Sequence, residues 1–392
     1  MKDKGMEEAM LSRNERLTLW YEEFSDHDYI LVGKENAALA EMVRAGVPVP
    51  PGFAVTMRAM EAFATSTGIH DQISRLVAGI HEASYEAVKP VSDAAMRLLE
   101  TTELPPDIED AIVSGYRKLC MISEASNCPV AVQGSCSVSL PGQVMSYLNV
   151  REEKNVVDSI RRCWSGVYTV EAIMSRMNGG APLLLNIGVG VSSMVNPRVS
   201  GVIFTINPIN GDPSKIAIDG SYGLREAVAS GLVTPDTYFI DKVIMEPVKT
   251  IIGTKAIQYR YVDSGADMVQ VPVPEENRHA ACLTRQETLE LARLGKLIEN
   301  HYGNPCNIEF AIGADRPFPK NILILRVREE SVWSKKQTIP RTERRKDALD
   351  RMVGQLIAGM KLERESLEHV HRPPLAGHTG CCPLCTLRSL AR

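Results

Sequence analysis

Between Gly201 and Asp241 short β-branched runs are cut by turn residues at close intervals, and this rhythm constrains the chain more than any other stretch. Val202-Ile203-Phe204-Thr205 reads as a strand, because β-branched and aromatic side chains suit a pleated, half-buried surface. Asn207-Pro208 and Asn210-Gly211-Asp212-Pro213 then turn the chain, and Lys215 to Asp219 reads as a second strand. Gly220, Gly223, Gly231 and a Thr234-Pro235-Asp236 corner follow. Strand, glycine-rich turn, strand is a way for a sheet to bring backbone N–H groups close to a phosphate. Ordinary sheet edges need such turns too, so composition alone leaves both readings open.

The order of the residues adds to this. Gly201, Val202, Phe204, Thr205, Pro208 and Gly211, followed by Gly223, Leu224, Glu226, Gly231, Val233, Pro235, Asp236 and Tyr238, fall in the order GVMFTxDPxTG and GLGExVVxGxVxPDxY. In this the chain resembles the ATP-binding domain of the pyruvate phosphate dikinase and phosphoenolpyruvate synthase family, an ATP-grasp fold. The opening ILVGKENAALAEMVRAGVPVPPGFAVT is similar to the family's VGGKNAALAEMxxxGVPVPPGFAVT, and the likeness runs through about the first 330 residues. The resemblance implies an α+β, two-lobe clamp with mixed or antiparallel sheets, ATP lying between the lobes. The expected divisions are a charged leader over 1–29, N-terminal lobes over 30–200 and a C-terminal lobe over 201–333. A basic linker and helix over 334–370 and a Cys/His tail over 371–392 complete the chain.

Local patterns fill in the lobes. Asn36 to Ala45 has helical spacing and stops at Gly46, whereas the VPVPPGF run is extended because each proline moves its predecessor out of the α region. Helical patterns occur at 57–66, 71–80 and 107–122, the last entered through Pro105-Pro106 with acidic residues at its positive end. Strands are expected at Pro129–Gln133 and Val144–Val150, with a helix or helix pair over 155–178 and a return to strand over 183–195. Arg285 to Tyr302 is a helix, and Asn307–Phe310 with Ile322–Val327 form a closing strand pair.

Phosphoryl transfer from ATP requires cations on the phosphates, a carboxylate-held metal and a placed nucleophile. Carried over position by position, the resemblance assigns catalytic roles to Lys34, Glu226 and Arg328 and nucleotide contacts to Gly33, Gln133, Gly142, Gly201 and Gly223. Glu309 stands where the family holds magnesium. Several positions depart from the pattern. Backward alignment from Ala37-Ala38-Leu39 puts Glu35 on the family's lysine and Lys34 on its second glycine; a one-residue slip restores Lys34. Gln133 replaces the arginine of VRSS, Arg326 the glutamine of LQxRP, Asn207 the aspartate of the DP pair and Arg225 the middle glycine of GLGE. An arginine beside a divalent cation is unfavourable, so Arg326 speaks against the usual metal geometry. A structural alternative for Glu226 and Arg328 is a buried ion pair joining the lobes.

Family members that complete a reaction carry a swivelling phosphohistidine domain, and His378 in AGHTGCC shares only its histidine and threonine with that motif. The expectation is therefore an ATP-dependent phosphotransferase component whose histidine acceptor lies on a separate subunit, as a free-standing subunit similar to that of phenylphosphate synthase. The alternative is a non-catalytic nucleotide-binding or scaffold relative. In the tail Cys382-Pro-Leu-Cys385 has the spacing of half a zinc knuckle, with His378 as a further ligand; a tail of reduced thiols is the competing reading. A net charge of −4 argues against an obligate nucleic-acid binder, and the chain has no apolar run long enough to span a membrane. The scattered cysteines suit reduced thiols, so a cytoplasmic protein is expected.

Overall fold

The computed structural model describes residues 16–25, 27–136, 145–261 and 268–333. The tail residues His378, Cys382 and Cys385, the helix read within 334–370 and Gly142 lie outside the described residues.

A first sheet is built from β1 (Thr18–Trp20), β2 (Gly52–Val55), β3 (Val130–Ser135), β4 (Ser146–Val150) and β5 (Gly188–Ser193), in the order β1-β2-β5-β3-β4. Its helices are α1 (Tyr29–Val32), α2 (Lys34–Arg44), α3 (Met57–Ser66), α4 (Ile69–Ala78), α5 (Tyr85–Thr101), α6 (Pro106–Ile122), α7 (Glu153–Ser165) and α8 (Val170–Gly179). The buried stripes of α3 to α8 pack on the sheet around Phe53, Phe63 and Trp164, all fully buried, with Phe63 stacked on Trp164 at 5.7 Å. Burying each such ring removes enough apolar surface from water to be worth about 1.5–3 kcal/mol.

The second sheet contains β6 (Pro197–Phe204), β7 (Lys215–Tyr222), β8 (Asp236–Asp241) and β9 (Glu246–Ile251), and a hairpin of β10 (Ile257–Tyr261) and β11 (Met268–Pro272) stands beside it. The strands β12 (Cys306–Gly313) and β13 (Ile322–Glu329) complete it in the order β13-β12-β6-β7-β8-β9. Short helices α9 (Glu226–Ala229) and α10 (Glu275–Arg278) lie in its connections. Across it packs α11 (Arg285–Tyr302), whose start is fixed by a reciprocal cap: Glu287 N–H donates to Thr284 Oγ1 at 3.2 Å, and Thr284 N–H donates to Glu287 Oε2 at 2.9 Å. Leu291, Leu294 and Ile298 of α11 are buried against Ile203, Ile218 and Ile308.

The expected α+β clamp is present, and every strand pair among the described residues is antiparallel. Two expectations need correction, and some elements have no counterpart in the sequence reading. The leader read over 1–29 contains structure: Leu19 pairs with Ala54 in the β1–β2 register, and Leu19, Tyr21 and Phe24 are buried. The boundary placed at 200/201 falls inside β6, so the lobes divide between Ser193 and Pro197. The helix α5 has no counterpart in the sequence reading because Pro90 interrupts its pattern; Ser84, accepting from Ala87 N–H, starts it and the helix continues through the proline. The strands β8 to β11 were likewise not anticipated.

The segment that carries α2 joins the lobes. Met42 and Val47 belong to the core of the second lobe, Pro48 C=O accepts from Ile324 N–H at 2.8 Å, and Tyr302 OH donates to Glu41 Oε2 at 2.8 Å. Both walls of the cleft between the sheets are therefore fixed to one helix.

Candidate functional site

The cleft lies where α2, β3 and β5 of the first lobe face β6, β12 and β13 of the second. It encloses a cavity of about 210 Å³ with an apolar part formed by Leu39, Val49, Ala131, Leu148 and Phe310. Its polar part is formed by Gln133, Arg225, Glu226, Glu309 and Arg326. A wider space of about 840 Å³ adjoins it through Ser146, Leu148 and Glu226, which border both.

On the first-lobe wall, Gly33 precedes α2 with φ +84° and ψ 163°, backbone that only glycine adopts readily. A Cβ at this position would sit 2.3 Å from Ser135 Oγ. That closeness has a purpose in the fold. Ser135 Oγ accepts from the N–H groups of Glu35 and Asn36 at 3.1 and 3.3 Å and donates to Glu35 Oε2 at 3.1 Å, while Lys34 N–H donates to Cys136 C=O at 3.0 Å. The first amides of α2 are thus satisfied by the end of β3. Lys34 is exposed and outside the cavity lining; Glu35 turns inward and meets Arg326, with Nη2 to Oε1 at 3.4 Å.

On the second-lobe wall, Gly223 turns at φ +69°, its N–H donating to Arg198 C=O and its C=O accepting from Ser200 Oγ at 2.6 Å. Leu224 N–H then donates to Tyr259 C=O, which aims Arg225 and Glu226 into the cleft. Gly201 sits mid-strand in β6, where a Cβ would lie 1.9 Å from Asp219 O; its missing side chain lets β6 and β7 pack, and it does not line the cavity. Glu309 on β12 stands opposite Arg326 on β13 in the strand register, and Arg225 Nη2 approaches Glu309 Oε1 at 3.4 Å. Burial pushes the Arg326 guanidinium below its ordinary value, with Arg328 adding to the fall and Glu309 and Glu35 opposing it.

The ion pair considered for Glu226 and Arg328 does not form among the described residues. Arg328 is exposed on β13, one side chain further along the face that carries Arg326, whereas Glu226 keeps a buried Oε2 without a hydrogen-bond partner. The pairs that form are Arg225–Glu309 and Arg326–Glu35, made by residues that replace a glycine, a glutamine and a lysine of the family pattern.

Glu309 was the expected magnesium ligand, and its surroundings do not suit a divalent cation. A carboxylate paired with Arg225 and opposite Arg326 in the register has part of its negative charge already offset. A divalent ion about 4 Å from a guanidinium would be repelled by several kcal/mol even at an effective dielectric near 20. Among the described residues no group of three or more His, Cys, Asp or Glu side chains is arranged to hold a metal ion.

Two features escaped the sequence reading. The Ser135 hydroxyl was hidden in a run of small residues, GSCSVSL, that signals a loop and nothing more. Asp236 and Lys255 form a fully buried ion pair in the second lobe. Asp236 was visible only as part of the PDxY motif, and a lysine at position 255 has no local pattern to announce burial.

No helix among the described residues is long and apolar enough to cross a membrane. The profile of the family described as pyruvate phosphate dikinase, AMP/ATP-binding domain matches residues 30–348. A probable phosphoenolpyruvate synthase of Staphylothermus marinus is 33% identical over 381 residues, covering 90% of this chain and 46% of that protein. The phosphoenolpyruvate synthases of Aeropyrum pernix and Pyrococcus furiosus are 34% and 31% identical, covering 82% and 76% of this chain and 43% and 42% of their own length. The chain thus spans less than half the length of these relatives. With the glycine turns, the two-lobe clamp and the matched profile together, the chain belongs to the family of the pyruvate phosphate dikinase AMP/ATP-binding domain.

Proposed function

We propose that this chain binds ATP in the cleft between its lobes and is the nucleotide-binding component of a phosphotransfer system whose acceptor is a histidine on a separate subunit. The observation that carries the reading is a cleft lining that combines apolar side chains with N–H donors. Leu39, Val49 and Leu148 are among the apolar residues, and Gln133, Arg225 and Arg326 offer N–H donors to a phosphate chain. The adjoining larger space, open past Ser146 and Glu226, gives an acceptor side chain a route to the terminal phosphates. The relatives' names add support, since phosphoenolpyruvate synthases are the proteins to which most of this chain is similar.

This chain's residues would orient rather than react. Gln133 donates an amide hydrogen bond, neutral and therefore weaker than the charge-assisted bond an arginine would make. Arg225 and Arg326 would neutralise phosphate charge. Magnesium, which an ATP-binding family implies, does not fit at Glu309 beside Arg225 and Arg326.

The test is incubation of the purified chain with radiolabelled ATP and a protein bearing the candidate acceptor histidine. The expected product is label that is lost in acid and kept in base, absent when that histidine is replaced. A second reading, nucleotide binding without phosphoryl transfer, is favoured by one specific observation: both arginines of the lining are already paired with glutamates. ATP binding with no label on any acceptor would decide for it.

A further inference from the structure

We propose that the cleft takes its nucleotide without a divalent cation, the phosphate chain being held by the guanidinium groups of Arg225 and Arg326 in place of a metal at Glu309. The proposal rests on the nucleotide-binding reading and specifies how that site handles charge.

Three observations carry it. Arg225 approaches Glu309 from the turn after Gly223, and Arg326 faces the same carboxylate across β12 and β13. A metal ion would have to displace one guanidinium and remain beside the other. Second, both arginines are held loosely. Each of their contacts to a glutamate is 3.4 Å long, at the outer limit of a hydrogen bond, and the Arg326 Nε is buried with no partner. Guanidinium groups carry five N–H donors each, and both side chains line the cavity. A phosphate chain arriving in the cleft can draw both groups from 3.4 Å contacts into short, two-pronged ones, which carboxylate partners at this distance do not supply. Third, the two guanidinium groups together bring the charge of one divalent cation, Arg225 in contact with Glu309 and Arg326 opposite it in the strand register.

The charge arrangement makes the two arginines dependent on different elements. Arg225 follows the glycine turn at Gly223, and Arg326 lies on the edge strand β13, opposite Glu309.

Calorimetric titration of the full chain with ATP, in EDTA and then in magnesium, tests the proposal. The expected result is binding in EDTA within about threefold of that in magnesium. Arg225→Gly and Arg326→Gln should each weaken binding in EDTA by tenfold or more. Arg225→Gly should in addition make binding depend on magnesium, because it leaves Glu309 open to a cation. Arg225→Lys and Arg326→Lys, which keep the charge and lose the two-pronged geometry, guard against loss of fold and should fall between wild type and the neutral variants. ATP binding that requires magnesium in the wild type overturns the proposal and leaves the nucleotide-binding reading standing. Neutral variants that bind in EDTA as the wild type does overturn it as well. Absence of ATP binding under both conditions removes the proposal and the nucleotide-binding reading together.

Discussion

Replacing Lys255 with methionine removes one half of an ion pair that no water reaches, and the cost can be worked from its surroundings. Asp236 and Lys255 are both fully buried. The Asp236 carboxylate accepts from Lys255 Nζ, from Gly253 N–H at 2.9 Å, from Cys282 N–H at 2.8 Å and from Tyr238 OH at 3.2 Å. Lys255 has one further acceptor, Gly253 C=O at 3.1 Å. Breaking a buried pair by removing one partner costs about 3–5 kcal/mol, because the other charge is left behind. In Lys255→Met the remaining carboxylate keeps three donors, so the loss should sit near the lower end, about 3 kcal/mol. In Asp236→Asn the ammonium keeps a carbonyl and an amide oxygen, but the new NH₂ is turned toward Cys282 N–H and Tyr238 OH, which held the other carboxylate oxygen. That loss should sit near the upper end, about 5 kcal/mol. Urea unfolding followed by circular dichroism should therefore show the midpoint falling in both variants, further in Asp236→Asn, with the slope unchanged. The double variant should cost less than the two losses added, since the groups share one set of contacts. A Lys255→Met protein as stable as the wild type, or the reverse order of the two variants, would refute the argument. The pair also supports the site: Tyr259 C=O, on the hairpin that follows Lys255, is the acceptor that fixes Leu224 ahead of Arg225.

Two further outcomes follow from buried titratable groups. Burial raises the Asp219 carboxyl above its ordinary value despite a hydrogen bond from Thr237 Oγ1 at 2.6 Å, so the folded state holds its proton more tightly than the unfolded chain does. The stability this gives is complete below the unfolded value of about 4 and is lost as pH rises through the folded value. Asp219→Asn, which keeps an acceptor for Thr237, should raise the melting temperature at pH 7, with the gain disappearing toward pH 4; a loss at pH 7 would contradict this. The Cys163 and Cys306 thiols are each pushed up to about 12, with burial the chief cause. Native protein treated with iodoacetamide at pH 8 should show neither residue alkylated by peptide mass spectrometry until denaturant is added.

How far the fold was legible depended on whether each element carried its own signal. The helix α11 reads from sequence to its last residue, because Thr284 and Glu287 cap one end, Gly303 with φ +71° ends the other, and its apolar stripe keeps helical spacing. The helix α5 has a comparable stripe, with Val88, Ala95 and Leu99 buried, yet Pro90 argues locally for a break. Tertiary packing overrides that argument. The strand β9 failed for the opposite reason: nearly all of Glu246–Ile251 is exposed, so it shows no alternation of apolar and polar residues to find. In the cleft, motif order located Gln133, Glu226 and Glu309, and the cavity brings them together with Arg326. Lys34 and Arg328 were located by the same logic and lie outside the lining, because one residue of helical phase or one step along a strand edge decides which side chain faces inward.

What motif order leaves hidden is pairing, and here pairing governs the chemistry. Relative to the family pattern the first-lobe wall exchanges a lysine for Glu35 and an arginine for Gln133, while the second-lobe wall gains Arg225 and Arg326. Taken singly, each change looks like loss of a phosphate contact or damage to a metal site. In the structure they are coupled. Arg326 reaches across the cleft to α2, where a lysine at position 35 would have met it as a second cation; Glu35, held by Ser135, meets it as a partner instead. Arg225 enters beside Glu309, where a glycine would have left the carboxylate open to a metal ion. Two positive side chains have left one wall and two have appeared on the opposite one, so the cleft retains cations for an anionic ligand while Glu309 is already paired with Arg225.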